Sequence, residues 1–412
     1  MTMRVLTTIA VMFFACGFVA QFALQGVTLF LRSAGAPSSM LGLLYVAAIP
    51  YTLRFVWAPL IDRVRVKNQP RFRPWIIGCQ AAICVLLAVM LLTDPAETPR
   101  AILIAVASMM FVLGTQLTAL GGLIAEGLDA EDYHKGASVQ GAASALAGFV
   151  LGAFVLFLLG DLGWQVVVAT LLAVSTALLL AAMFFLDVGQ IVTPDERPSW
   201  LSQLSIFGRP QPRLLFLLSV LISISILFPY ASKSVLLVDA GFSVSQGGLI
   251  GIVAGNLFAF LGAYLAKPFI ERFGAFNLLI AIGLCNIAFA LGLAFLVRDG
   301  INTIGIAVVV LWSSFAVFAT FTANRSIILR LCRPGRQATE MASFTSVEAM
   351  IFLALAGAGI SALDQVGLAP LMLGSALISI GGVALAMSQR DKFQPLGSRT
   401  GVHEKAQEPS KT

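Results

Sequence analysis

Ala58-Pro59-Leu60-Ile61-Asp62-Arg63 and Lys267-Pro268-Phe269-Ile270-Glu271-Arg272 are two copies of one short element, each closing an apolar run. Proline, isoleucine, acid and arginine keep the same order in both. Upstream of the first copy, Ala34-Gly35 precedes Ser39 and Gly42; upstream of the second, Ala240-Gly241 precedes Ser245 and Gly248. Downstream, Ala137-Ser138 and Ala342-Ser343 each open a further apolar run. Landmarks matched in this way at nearly constant offset mark an internal duplication.

The rest of the chain says where such a duplication sits. Of 412 residues, 58% are hydrophobic and 11% are charged, against about 25% charged in a soluble domain. That composition excludes an ordinary soluble enzyme, a disordered chain and a disulfide-rich secreted module. Alternating segments of about ten residues, the mark of an outer-membrane barrel, are missing. The net charge of +6 is small and its basic residues fall at the ends of apolar runs, so no nucleic-acid partner is expected. Five cysteines without a CxxC pair and two histidines give no metal site, cofactor site or disulfide framework. No phosphate loop or catalytic triad is present, and an enzyme is not expected.

A helix needs about 20 apolar residues to cross a bilayer. Runs and breakers predict spans at 5–31, 39–61, 74–93, 101–126, 136–160 and 164–186, then at 213–238, 244–267, 275–297, 301–329, 338–361 and 367–388. The first is too long and too uniformly apolar for a cleaved signal peptide. The expected architecture is all-α: twelve transmembrane helices in two six-helix bundles, 1–186 and 213–388, joined by a proline-rich cytoplasmic linker (187–212) and followed by a polar tail (389–412). With both termini in the cytoplasm, twenty of the 26 lysines and arginines fall on the cytoplasmic side and three outside, as the positive-inside rule requires. The expected location is a bacterial inner membrane.

A six-plus-six parallel duplication is the pattern of the major facilitator superfamily. The Pro-x-Ile-acid-Arg element resembles that superfamily's gating motif after spans 2 and 8, which assigns the gate to Pro59, Asp62, Arg63, Pro268, Glu271 and Arg272. The longer stretch from Tyr51-Thr-Leu-Arg54 through Trp57-Ala-Pro59 to Asp62 resembles one branch, in which a lysine commonly stands at the position of Arg54. That branch holds AmpG-type muropeptide permeases, acetyl-CoA transporters and RhtX/FptX-type siderophore permeases. Gly136-Ala-Ser-Val-Gln140-Gly141 resembles its opening of span 5. Leu331-Cys-Arg-Pro-Gly-Arg336 through Glu340 resembles the start of span 11 in the siderophore group. The branch's aspartate beside Gln116 is absent, which leaves Glu126 as the nearest acid on span 4.

Charges inside spans are costly, about 2.5–3.5 kcal/mol each on insertion scales, and need a partner or a cavity. Glu348 is the deepest; it either titrates and couples transport to protons or forms a structural ion pair with Arg325. Arg54 gates or snorkels. Lys233 attracts an anionic ligand or snorkels to the outer interface. Gln21, Gln25 and Thr28 share one helical face. With Tyr51, Gln116, Gln140, Lys233 and Asn256, the two glutamines form the expected substrate path; Asn286 and Asn324 are further candidates. Gly247, Gly251 and Gly255, and Gly148 and Gly152, are expected to pack helices closely at the interface of the two halves of a monomer, with dimerisation as the alternative.

The expected function is secondary active import of a siderophore, or its iron complex, driven by protons through alternating access. A muropeptide permease or a siderophore or drug exporter is the alternative.

Overall fold

The computed structural model describes residues 2–27, 30–31, 43–44, 46–64, 66, 68–95, 97–185, 204–231, 233, 236–237, 240–242, 244–297 and 303–393. Thr28, the Ala34–Gly42 landmarks, most of the expected linker and most of the tail lie outside these residues, as does the side chain of Gln25.

Among the described residues the secondary structure is helical throughout. The first helix, α1 (Thr2–Gln21), runs into a wider π turn at Phe22–Gly26. The second expected span is broken into α2 (Ile49–Thr52), a 3-10 turn (Leu53–Val56) and α3 (Ala58–Arg63). Pro59 explains the break. It has no N–H to bond four residues back and its ring crowds that carbonyl, so the preceding turn tightens.

Helices α4 (Arg73–Leu91) and α5 (Pro99–Gly127) carry proline in their first turn, where the missing N–H costs nothing. The long helix α6 (Tyr133–Phe185) is two arms meeting at Gly163, whose φ of 72° lies outside the helical region. Then follow α7 (Pro210–Ala231), α8 (Val244–Gly248), a second π stretch (Leu249–Ala254) and α9 (Gly255–Phe273). The series ends with α10 (Ala275–Leu296), α11 (Thr303–Leu331), α12 (Gln337–Val366) and α13 (Leu368–Ser388).

Nine helices among the described residues are long and apolar enough to cross a bilayer. The outer surface supports that reading: Ile104, Phe184, Phe295, Ile304 and Leu377 are each more than two-thirds exposed. Water would not tolerate such a belt, whereas lipid requires it. Of the other expected spans, the second is interrupted at Pro59 and α12 carries Glu340 and Glu348 with several hydroxyl residues.

The helices close over one large core that joins Phe13 of α1, Ile61 of α3, Leu120 of α5, Ile328 of α11 and Phe344 of α12. Two close approaches fix the frame. A Cβ at Gly262 of α9 would collide with the Phe315 carbonyl of α11, so those backbones touch. A Cβ at Gly148, on the first arm of α6, would lie 2.6 Å from Asn256 Oδ1 and 2.8 Å from Gln21 Nε2. Small residues allow such backbone contact where no hydrophobic force drives helices together.

Candidate functional site

Polar side chains gather in two places, an interior cavity and a knot of ion pairs at the end of the molecule bearing Asp62 and Glu271.

The cavity has a volume of about 340 Å³. Tyr51, Arg54 and Gln140 line it from one side, and Asn324, Arg325 and Glu348 from the other. The 3-10 turn imposed by Pro59 carries Arg54 inward. Its Nη2 donates to Thr345 Oγ1 at 2.7 Å, its Nη1 to the Tyr51 carbonyl at 3.3 Å, and the guanidinium lies 5.0 Å from the Tyr51 ring centre. Thr345 stands one helical turn before Glu348 on α12, so Arg54 reaches across to the helix that holds the buried carboxylate.

Glu348 is 7% exposed. Its Oε1 accepts from Ser219 Oγ of α7 at 2.9 Å and from Asn324 Nδ2 of α11 at 3.2 Å. Asn324 also donates to Ser219. Arg325 Nη2 stands 3.6 Å from Glu348 Oε2, an ion-pair distance but too long for a hydrogen bond. Neutral donors thus hold the carboxylate more tightly than its nearest cation does. Arg325, 5% exposed, stacks over Phe321 at 4.5 Å, and its Nε and Nη1 have no partner among the described residues.

At the other end, Asp62 is 1% exposed. It accepts from Arg71 Nη2 at 2.7 Å, from the Thr339 backbone N–H at 2.8 Å and from the Thr339 hydroxyl. Arg71 also pairs with Glu126 and donates to the Gly335 carbonyl at 2.9 Å. One guanidinium therefore ties the ends of α3 and α5 to the turn before α12. Beside it, Glu340 in the first turn of α12 accepts from Arg209 at 2.7 Å and from the Arg333 N–H at 2.9 Å. The second motif copy pairs differently: Glu271 Oε1 lies 3.1 Å from His134 Nε2. The offset that aligns Ala137-Ser138 with Ala342-Ser343 also aligns His134 with Thr339. The two acids of the duplicated motif thus meet repeat-related positions. One contact is buried; in the other the Glu271 side chain is 43% exposed. Pro59 and Pro268 lie within α3 and α9, and Arg272 stacks over Phe273 at 5.2 Å.

Of the residues expected on the substrate path, Tyr51 and Gln140 line the cavity together with Arg54, Arg325 and Glu348. Gln116 does not. It is fully buried, donates to Gln80 at 3.0 Å, and Gln80 donates to the Ser175 carbonyl, a bridge between α5, α4 and α6. Gln21 and Asn256 both approach Gly148, outside the cavity wall, and Asn256 donates to the Ile252 carbonyl at 2.8 Å. The Lys233 ammonium stands 5.0 Å from the Tyr230 ring centre and beside Gly255, with the stem along Gly251. Asn286 accepts from Trp312.

Arg71, Thr339 and Ser219 were not singled out from the sequence. Arg71 counted only as one basic loop residue, and a lone hydroxyl in an apolar helix gives no signal of its partner.

Residues 7–357 match the family described as Major Facilitator Superfamily, and the chain belongs to it. It is a multi-pass membrane protein of that superfamily. The Anhydromuropeptide permease of Escherichia coli (strain K12) is 22% identical over 308 residues, which cover 73% of this chain and 62% of that protein. The match thus spans about three-fifths of that permease's length. The Putative transporter AmpG 4 of Rickettsia conorii is 20% identical over 345 residues, 79% of this chain and 81% of that one. Among solved structures, the human organic anion transporter MFSD10 (TETRAN) superposes with a TM-score of 0.71 at 17% identity, covering 93% of this chain and 99% of that one, and supports the fold. The Escherichia coli relative carries the name of a muropeptide permease, and none of these three carries that of a siderophore permease.

Proposed function

We propose that the protein is a secondary carrier whose cargo occupies the cavity between Arg54 and Arg325 and whose two six-helix bundles rock about it by alternating access. The observation that supports this best is the charge count of the wall. Two guanidinium groups, Arg54 and Arg325, face one carboxylate, Glu348. Buried charge without balance is expensive, so the site suits a cargo that brings a negative group. Glu348 is the proton-coupling residue of this reading. It is the buried acid of the cavity, and neutral donors hold it, so proton binding need not break a hydrogen-bonded ion pair.

Muropeptides, which are peptide-bearing amino sugars with free carboxylates, are the first cargo reading, because the Escherichia coli relative carries that name. Import of a siderophore or its iron complex is the second. It rests on the likeness of Leu331–Glu340 to the siderophore group. In the fold that stretch holds Glu340 to Arg209 and Arg333, away from the cavity wall, which weakens it as a cargo signal.

The test is uptake by cells lacking and then regaining the gene. Radiolabelled anhydromuropeptide and a panel of radiolabelled ferric siderophores are supplied with and without a protonophore. Gene-dependent uptake of a muropeptide that collapses with the protonophore is expected. Uptake of a ferric chelate alone moves the cargo to the second reading. Gene-dependent uptake that survives the protonophore overturns the coupling.

A further inference from the structure

Arg325 presents an unusual set of unmade bonds. Guanidinium carries five N–H donors and no acceptor. Buried groups of this kind are normally satisfied several times over, because an unmet charged donor costs more than an unmet neutral one. Here Nε and Nη1 have no partner among the described residues, and the Nη2 to Glu348 distance of 3.6 Å is too long for a hydrogen bond. The carboxylate that should satisfy Arg325 is instead drawn to Ser219 and Asn324. Arg54 differs: two of its nitrogens already donate, to Thr345 and to Tyr51.

The atoms around Arg325 share this condition. Among the described residues, Asn324 Oδ1 and Gln140 Oε1 are buried acceptors without a donor, and Ser223 Oγ and Thr320 Oγ1 are buried hydroxyls without a partner. All four residues line the same cavity as Arg325. One end of the wall therefore offers cationic N–H donors. Around it stand amide oxygens that need N–H or O–H groups.

We infer that Arg325 is the docking point for a carboxylate of the cargo, with Asn324 and Gln140 accepting from amide or hydroxyl groups next to that carboxylate. The inference rests on the carrier reading and narrows its cargo to a carboxylate flanked by hydrogen-bond donors. A charge-assisted bond to a guanidinium is about twice as strong as a neutral one, so the acid form of the cargo is selected over its amide. Glu348 is the competing anion of the same site. Cargo that satisfies Arg325 takes over the ion-pair distance that Glu348 now occupies. Glu348 is then held by Ser219 and Asn324 alone.

Two sources supply such a carboxylate, a muropeptide and a chelator, and the test separates them. Purified protein in detergent is heated with each of four probes: N-acetylmuramyl-alanyl-glutamate, its diamide, a ferric dihydroxamate with a free carboxylate, and that chelate's amide. A ligand of the folded state raises the unfolding temperature. In the wild type, one acid raises it at least ten times more potently than its amide, and which acid does so names the source. Arg325→Gln reduces that preference to about one, and Arg325→Lys retains part of it. Glu348→Gln tightens binding of the acid, because the competing anion is gone. Folding of each variant is checked by its own unfolding transition without ligand.

Equal shifts by acid and amide, or an acid preference that survives Arg325→Gln, overturn the inference. So does a failure of all four probes to bind. Gene-dependent uptake in cells then decides whether the carrier reading falls as well: uptake of acid and amide alike leaves the carrier standing without this subsite, and no uptake removes both.

Discussion

Asp62 and Thr339 meet through two hydrogen bonds from one residue: the Thr339 backbone N–H, at 2.8 Å, and its hydroxyl both donate to Oδ2 of the same carboxylate. They stand in the two halves of the duplicated chain, and their contact ties α3, which carries the first motif copy, to the start of α12. Thr339→Val keeps the shape and the backbone bond while deleting the hydroxyl. A buried acceptor stripped of one donor costs about 1–3 kcal/mol, so the unfolding temperature of the purified protein should fall. Thr339→Ser should restore it.

The repeat-related contact should behave otherwise. His134 and Glu271 are 3.1 Å apart, but the Glu271 side chain is 43% exposed. Exposed pairs contribute about 0–1 kcal/mol. His134→Ala should therefore lower the unfolding temperature by much less than Thr339→Val does. Equal losses would show that the second contact is as structural as the first.

Arg71 should be the most sensitive position of the knot. It serves Asp62, Glu126 and the Gly335 carbonyl together. Arg71→Ala takes the guanidinium away from the buried Asp62 carboxylate, and losing one partner of a buried pair costs about 3–5 kcal/mol. Lysine should rescue poorly, since a point charge cannot fork to three acceptors. Arg71→Ala combined with Asp62→Asn should recover part of the loss, a double-mutant comparison read from thermal unfolding.

Gln116 tests the boundary of the cavity. Its bridge to Gln80 lies outside the wall. Gln116→Leu should cost stability of about 0.6–1.7 kcal/mol, the range of interhelical bonds in membranes, and leave the concentration for half-maximal uptake unchanged. A tenfold change in that concentration would place Gln116 on the cargo path after all.

Arg54 and Thr345 test the opposite wall. Arg54→Gln removes one of two cavity cations and should lower uptake at least tenfold, with cargo affinity falling more than maximal rate. Thr345→Val removes only its hydroxyl partner, leaving the Tyr51 carbonyl as acceptor, and should have the smaller effect. A larger effect of Thr345→Val in the same uptake assay would assign the contact to gating rather than to cargo.

Much of the fold was legible because bilayer thickness sets a length that sequence must honour. The break at Gly163 fell between two expected spans, and the repeated proline-acid-arginine element marked the end where the ion pairs gather. In the site, Arg54, Arg325 and Glu348 stood out as charges in apolar runs, and all three line the cavity. Neutral polar residues were harder to read. On a helix apolar all round, periodicity does not say which face is inward, so Gln116 could not be told from Gln140. The grouping of Gln21 with Gln25 and Thr28 assumed 3.6 residues per turn, and the π turn at Phe22–Gly26 breaks that phase. Thr339 lies 277 residues from Asp62 and Gly335 lies 264 from Arg71, and one sequence carries no trace of these meetings.

The meeting of α9 and α11 at Gly262 carries a consequence for how this chain can vary. Any side chain there must push against the Phe315 carbonyl, which is backbone and has no alternative rotamer. No compensating side-chain change elsewhere can make that room. In a library covering every substitution, Gly262 should be depleted of all nineteen alternatives, alanine included. Gly292 and Gly374, where a methyl group would meet nothing within 4 Å, should drift freely to alanine.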